Sequence, residues 1–177
     1  MRVFIAIEIP NEVREEIVNF QKELEKKKLF FGKFTEKENL HLTLKFLGEV
    51  DETGVEEIKK KLKEIQFPRF KVCLGNGGVF SEDFVRIIWV QILGNGIFEL
   101  QKEIDESLRD LFEREKRFMS HLTIARVKSI KDKKLLLDEL GKIKFDFEFG
   151  VKKFFLKKST LTEKGPTYEN LAEIDLD

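Results

Sequence analysis

The sequence predicts an α+β protein made of two pseudo-symmetric lobes, each an antiparallel sheet with flanking helices, around a central cleft. Three observations carry this expectation. Stretches of apolar–polar alternation, the pattern of half-buried strands, are interleaved with stretches whose apolar residues recur at helical spacing. The order strand, helix, strand, helix, strand occurs twice. The only two histidines, His41 and His121, sit in matching strands 80 positions apart, each followed by Leu-Thr. By average residue usage that shared Leu-Thr has a chance of roughly one in a few hundred, so an internal duplication is the better account.

Val3, Ile5, Ile7 and Ile9 alternate with Phe4, Ala6 and Glu8 as a first strand that Pro10 ends. Asn11 is positioned to cap a helix marked by Val13, Ile17, Phe20 and Leu24. A short connection from Phe30 to Phe34 leads to the first histidine strand, which runs to about Val50. A second helix follows, with capping-box spacing from Thr53 to Glu56 and a stripe of Val55, Ile58, Leu62 and Ile65. Phe70, Val72 and Leu74 form another strand, and Gly75-Asn76-Gly77-Gly78 reads as a plain turn. That run lacks the lysine and spacing of a phosphate-binding loop.

The second copy repeats the order: a strand over 85–93, a helix marked by Ile97, Leu100, Ile104, Leu108 and Leu111, and the second histidine strand over about 119–127. A helix with Leu136, Leu140 and Ile143 and a strand with Phe145, Phe147, Phe149 and Val151 complete it. Two further strands, about 153–161 and 168–175, are joined by the hairpin turn Glu163-Lys164-Gly165-Pro166 and have no counterpart in the first half. Residues 1–177 are thus expected to form one bilobal domain, with the repeat boundary at about 75–84.

Composition narrows the function classes. Thirty-three Lys plus Arg balance 33 Asp plus Glu, so no global field draws in a polyanion and any nucleic-acid contact must use a local patch. The Lys- and Glu-rich composition resembles that of thermophile proteins. A lone Cys73 excludes an internal disulfide and any Cys/His zinc cluster, and fits a reducing cytoplasm. Val3 to Ile9 is too short and too interrupted for a signal peptide, and no run approaches the ~20 apolar residues of a membrane span. We expect a cytoplasmic monomer with no cofactor, no metal and no membrane partner.

Within each motif, Leu42 and Leu44, or Leu122 and Ile124, occupy one strand face, and His41 with Thr43, or His121 with Thr123, the other. Two imidazoles on opposite sides of a reacting atom can serve as general base and general acid. Phosphodiester cleavage needs both, because the attacking water loses a proton while the departing sugar oxygen gains one. The Thr43 and Thr123 hydroxyls are spaced to hold the non-bridging oxygens. A strained cyclic phosphate fits best, since it needs no metal. A serine-protease arrangement is disfavoured because Ser120, beside His121, points to the opposite face. Lys45 reads as a solvated lysine. Strict alternation turns Arg126 away from His121, so it reaches a phosphate only after a bulge or at the strand end.

His41-Leu42-Thr43-Leu44 and His121-Leu122-Thr123-Ile124 resemble the paired motifs of the two-histidine phosphoesterase superfamily. Within it the chain is similar to the LigT-like RNA 2′,3′-cyclic phosphodiesterases, also called 2′-5′ RNA ligases. The likeness extends to Arg2-Val3-Phe4-Ile5-Ala6, Lys45-Phe46-Leu47-Gly48, Ala125-Arg126-Val127, Ser159-Thr160-Leu161 and Gly165-Pro166-Thr167-Tyr168. The resemblance implies a bilobal fold and metal-free hydrolysis of an RNA terminal 2′,3′-cyclic phosphate to a 2′-phosphate. It implies His41 as proton donor to the leaving 3′ oxygen and His121 as proton acceptor from water, with 2′-5′ joining of tRNA halves as a related activity. Ser120 departs from the family, whose members often carry Pro there. Two other readings share the residues: a cyclic phosphodiesterase acting on a small nucleotide, and a non-catalytic RNA-end-binding protein.

Overall fold

A computed structural model describes residues 1–163 and 165–177. In chain order the strands are β1 (Arg2–Glu8), β2 (Phe30–Phe34), β3 (His41–Glu49), β4 (Phe70–Val79), β5 (Ile87–Leu93), β6 (His121–Ile130), β7 (Glu148–Val151), β8 (Lys153–Thr162) and β9 (Gly165–Asp175). The helices are α1 (Asn11–Lys26), α2 (Glu52–Lys63), α3 (Asn95–Ser107) and α4 (Lys133–Lys142). Each helix buries an apolar stripe, such as Val13, Ile17 and Leu24 of α1 or Ile97, Leu100 and Ile104 of α3.

Among the described residues the nine strands form one antiparallel sheet in the order β7-β4-β5-β6-β3-β1-β8-β9, with β2 pairing β6 beside that path. The two histidine strands, β3 and β6, pair with each other through Leu42 and Leu122 alone. The expected α+β lobes are present, but they are not the two halves of the sequence. β4 follows α2 in the chain yet pairs with β5 and β7 of the second half, while β8 and β9 join β1 of the first. The two late strands therefore do have a counterpart: β8 flanks β1 as β4 flanks β5. The helices cross as well. Gln21 of α1 reaches β6, and Asp105 of α3 reaches β3. The exchange buries both apolar stripes beneath a shared sheet.

Local differences from the sequence reading have local causes. The connection at Phe30 to Phe34 is strand β2, because β6 extends past β3 and leaves an edge to be paired. The glycine run is no turn: β4 continues through it, and side chains from elsewhere fill the space that a Cβ would need. A Cβ on Gly78 would lie 2.4 Å from the Trp89 ring. Asn11 does not cap α1, which starts after Pro10; its side chain donates to Glu15 instead. Asp51 rather than Thr53 caps α2, accepting from the Gly54 amide at 2.8 Å. Thr162 pairs with Gly165 at the expected hairpin, whose Lys164 lies outside the described residues.

Candidate active site

At the Leu42–Leu122 junction the apolar faces of both strands turn inward: Leu42, Leu44, Leu122 and Ile124 are each at most 1% exposed. Alternation then sends His41, Thr43, His121 and Thr123 to the opposite face, where all four line one cavity of about 790 Å³. The two histidines are a cross-strand diagonal about this pair, and in regular antiparallel geometry such diagonals lie ~7–8 Å apart.

Both strands then break their alternation at the same place. β3 carries Leu44 in excess of β1, whose Ile5 and Ala6 pair with Lys45 and Thr43. β6 carries Ile124 in excess of β5, whose Ile88 and Trp89 pair with Ala125 and Thr123. Each extra residue is a β-bulge and reverses the phase beyond it. Arg126 is thereby returned to the cleft face and lines the cavity, as does Phe46 at the equivalent position of β3. The same bulge corrects the reading of Lys45. It is 4% exposed, with Nζ 2.5 Å from Asp105 Oδ1 and 2.6 Å from the Glu113 carbonyl oxygen.

The imidazoles are held alike. His41 Nδ1 donates to the Asn39 carbonyl at 2.7 Å and His121 Nδ1 to the Met119 carbonyl at 2.8 Å. A carbonyl can only accept, so Nδ1 carries the proton in both rings and each Nε2 is left to exchange one. Their surroundings differ. Thr43 Oγ1 lies 3.1 Å from His41 Nε2, and Tyr168 and Phe4 pack on that ring at centroid distances of 5.0 Å. Phe80 stands edge-on to His121 at 4.9 Å. Burial pushes the His41 pKa down to about 4 against the opposing hydrogen bond to Asn39, with Lys157, Arg14 and His121 lowering it further. Burial also lowers His121, opposed by the Met119 carbonyl.

Further residues brace the site that sequence reasoning missed. The Asn39 side chain donates to the Pro166 carbonyl at 2.9 Å, linking the β8–β9 hairpin to the segment that holds His41. Glu8, opposite His41 in the β1–β3 register, accepts from Lys157 at 2.6 Å and from Asn170 at 3.1 Å. Desolvation raises the Glu8 pKa, but these bonds outweigh it and the net shift is downward. No local pattern marks these partners, since they converge from three strands. Ser120 Oγ is buried without a hydrogen-bond partner among the described residues, so it is not positioned as a nucleophile. Also among the described residues, no three His, Cys, Asp or Glu side chains converge as a metal site, and no helix is long and apolar enough to cross a membrane.

Comparison with known proteins points the same way as the geometry. The family described as LigT like Phosphoesterase matches residues 7–89 and 91–168, each stretch holding one histidine motif. An RNA 2′,3′-cyclic phosphodiesterase of Methanocaldococcus jannaschii is 46% identical over 177 residues, covering 98% of this chain and 99% of that protein. One from Archaeoglobus fulgidus is 36% identical, covering 97% and 98%. A crystal structure of a Thermus thermophilus protein superposes with a TM-score of 0.83 at 27% identity, covering 99% of this chain and 97% of that one.

Proposed function

The chain belongs to the LigT-like phosphoesterase family, and on that premise we propose that it hydrolyses the 2′,3′-cyclic phosphate at an RNA end to a 2′-phosphomonoester. The observation that carries this reading is the pair of His-x-Thr units flanking one residue pair, with Nδ1 of each ring committed to a carbonyl so that Nε2, shared with the Thr43 hydroxyl in His41, is the nitrogen that can exchange a proton.

In this mechanism His121 Nε2 takes a proton from the attacking water as its oxygen bonds to phosphorus. The bond from phosphorus to the 3′ oxygen breaks, and that oxygen receives a proton from Nε2 of the His41 imidazolium. Charge developing on the non-bridging oxygens is held by the Thr43 and Thr123 hydroxyls and the Arg126 guanidinium. No step requires a metal or cofactor. Purified, chelator-treated protein incubated with an oligonucleotide ending in a 2′,3′-cyclic phosphate should yield the 2′-phosphate. A 3′-phosphate product would reverse the histidine roles, and an unchanged substrate bound in the cleft would favour the RNA-end-binding reading.

The finer reading is a monomer acting in the cytoplasm on ends such as those of tRNA halves, with 2′-5′ joining as the reverse type of reaction. It is supported by a site built within one chain and by the lone Cys73.

A further inference from the structure

We propose that Arg2 forms a second anion site in the cleft, which takes the phosphodiester upstream of the RNA's cyclic end. The inference rests on the hydrolytic reading and extends it to the substrate class: an RNA strand rather than a mononucleotide.

Arg2 lines the same cavity as the histidines, at its far end. In the β1–β3 register Ala6 stands opposite Thr43, Phe4 opposite Phe46 and Arg2 opposite Glu49. Arg2 is therefore four residues along β1 from the level of the His-Thr units, or ~13 Å at the rise of a strand. That backbone separation exceeds the ~3.4 Å rise between successive phosphates of a stacked strand, so the upstream phosphodiester meets the Arg2 guanidinium with the strand extended along the groove and the long arginine side chain spanning part of the gap. A cyclic nucleoside phosphate with no upstream phosphodiester places no anion at this end of the cleft.

The charges of the cleft favour an anion there. Its two carboxylates are each engaged: Glu36 lies 2.6 Å from Lys33, and Glu49 lies 3.5 Å from the Met1 ammonium. The Arg2 and Arg126 guanidiniums have no ion pair or hydrogen-bond partner among the described residues. Arg126 stands beside the second histidine unit, which leaves Arg2 as the unpaired cation remote from the reacting phosphorus. Between Arg2 and the histidines lie Phe4 and Phe46, which face each other across β1 and β3 and both line the cavity, Phe46 although 74% exposed. These provide an apolar surface for the intervening nucleoside.

The test compares a 2′,3′-cyclic mononucleotide with a dinucleotide and a trinucleotide ending in the same cyclic phosphate, for the wild type and Arg2→Gln. The wild-type kcat/KM should rise roughly tenfold when the first upstream phosphodiester is added, as for one charge-assisted contact. Arg2→Gln should collapse that ratio toward one and should reduce the slope of log kcat/KM against log salt for the dinucleotide by ~0.7. Equal wild-type rates on mono- and dinucleotide, or an unchanged ratio in Arg2→Gln, would overturn the site. Equilibrium binding of a 2′-phosphate-ended dinucleotide reads the same contact without turnover. A wild type that binds it more tightly than Arg2→Gln but hydrolyses nothing would retain the Arg2 site while refuting hydrolysis.

Discussion

The side-chain amide of Gln21 donates a 2.9 Å hydrogen bond to the carbonyl oxygen of Ile124, the residue that β6 carries in excess of β5. The same nitrogen reaches the Thr35 carbonyl at 3.0 Å, and the Thr35 amide also donates to Ile124. A helix of the first half thus clamps the bulge that turns Arg126 into the cleft. Eighty positions on, Gln101 donates at 2.8 Å to Asp105, which holds Lys45 beside the matching bulge of β3.

Replacing Gln21 by Leu should therefore affect both stability and rate. Loss of a buried donor that serves two carbonyls is expected to cost about 1–3 kcal/mol, read by chemical denaturation. If the clamp fixes the bulge, kcat/KM on a cyclic-phosphate end should fall too, by the loss of Arg126 alignment. A destabilised variant with wild-type kinetics would show that the bulge holds its shape without Gln21.

The Lys45–Asp105 pair should behave as a buried ion pair. Lys45→Met leaves Asp105 charged and unpaired, and about 3–5 kcal/mol of stability should be lost. The double variant Lys45→Met with Asp105→Leu should recover most of it. Burial raises the Asp105 pKa, but the hydrogen bonds from Lys45, Gln101 and the Glu115 amide bring it below the ordinary value. Its contribution is therefore present above the unfolded pKa of ~3.9 and is lost as pH falls through the lower folded value. A double variant no more stable than the single would refute this account.

The two histidines carry the opposite linkage to an imidazole paired with a carboxylate. Both folded pKa values are lowered, His41 to about 4, so the unfolded chain takes up protons first as pH falls below ~6.5. Stability should decline through that window down to the folded values, and His41→Asn should flatten the decline. In the free enzyme, moreover, the form with His41 protonated and His121 neutral is a minor species at neutral pH. The kcat/KM optimum is thus expected on the acid side of ~6.5, falling about tenfold per pH unit above it. A bound phosphate anion favours the imidazolium, so the kcat profile should lie at higher pH. A kcat/KM profile flat between about pH 5 and about pH 8 would contradict these assignments.

Division of labour between the histidines is testable by leaving group. Replacing either by Ala should lower turnover by roughly 10²- to 10⁴-fold, with Thr43→Ala and Thr123→Ala less severe. A substrate whose leaving group is already a good one needs no acid, and should rescue His41→Ala far more than His121→Ala. Equal rescue, or rescue of His121→Ala alone, would assign the roles the other way or to neither residue.

Much of this protein is determined by local pattern. Alternation places His41 with Thr43 and His121 with Thr123 because a strand's side chains change face at every residue, and that holds as far as each motif extends. Apolar stripes mark the four helices for the same kind of reason. What the tertiary structure decided begins one residue past each threonine. The bulges at Leu44 and Ile124 reverse the phase, sending Lys45 into the core and Arg126 into the cleft, and a bulge depends on partners distant in the chain. Glycine at 78 is understandable only once Trp89 lies over it. The exchange of β4 and β8 between the lobes is a choice among long-range pairings, which sequence periodicity does not distinguish because either strand presents one apolar face. The residue types are legible in the chain; their convergence from opposite halves, Arg2 at one end of the cleft and Arg126 beside the histidines, is a property of the sheet.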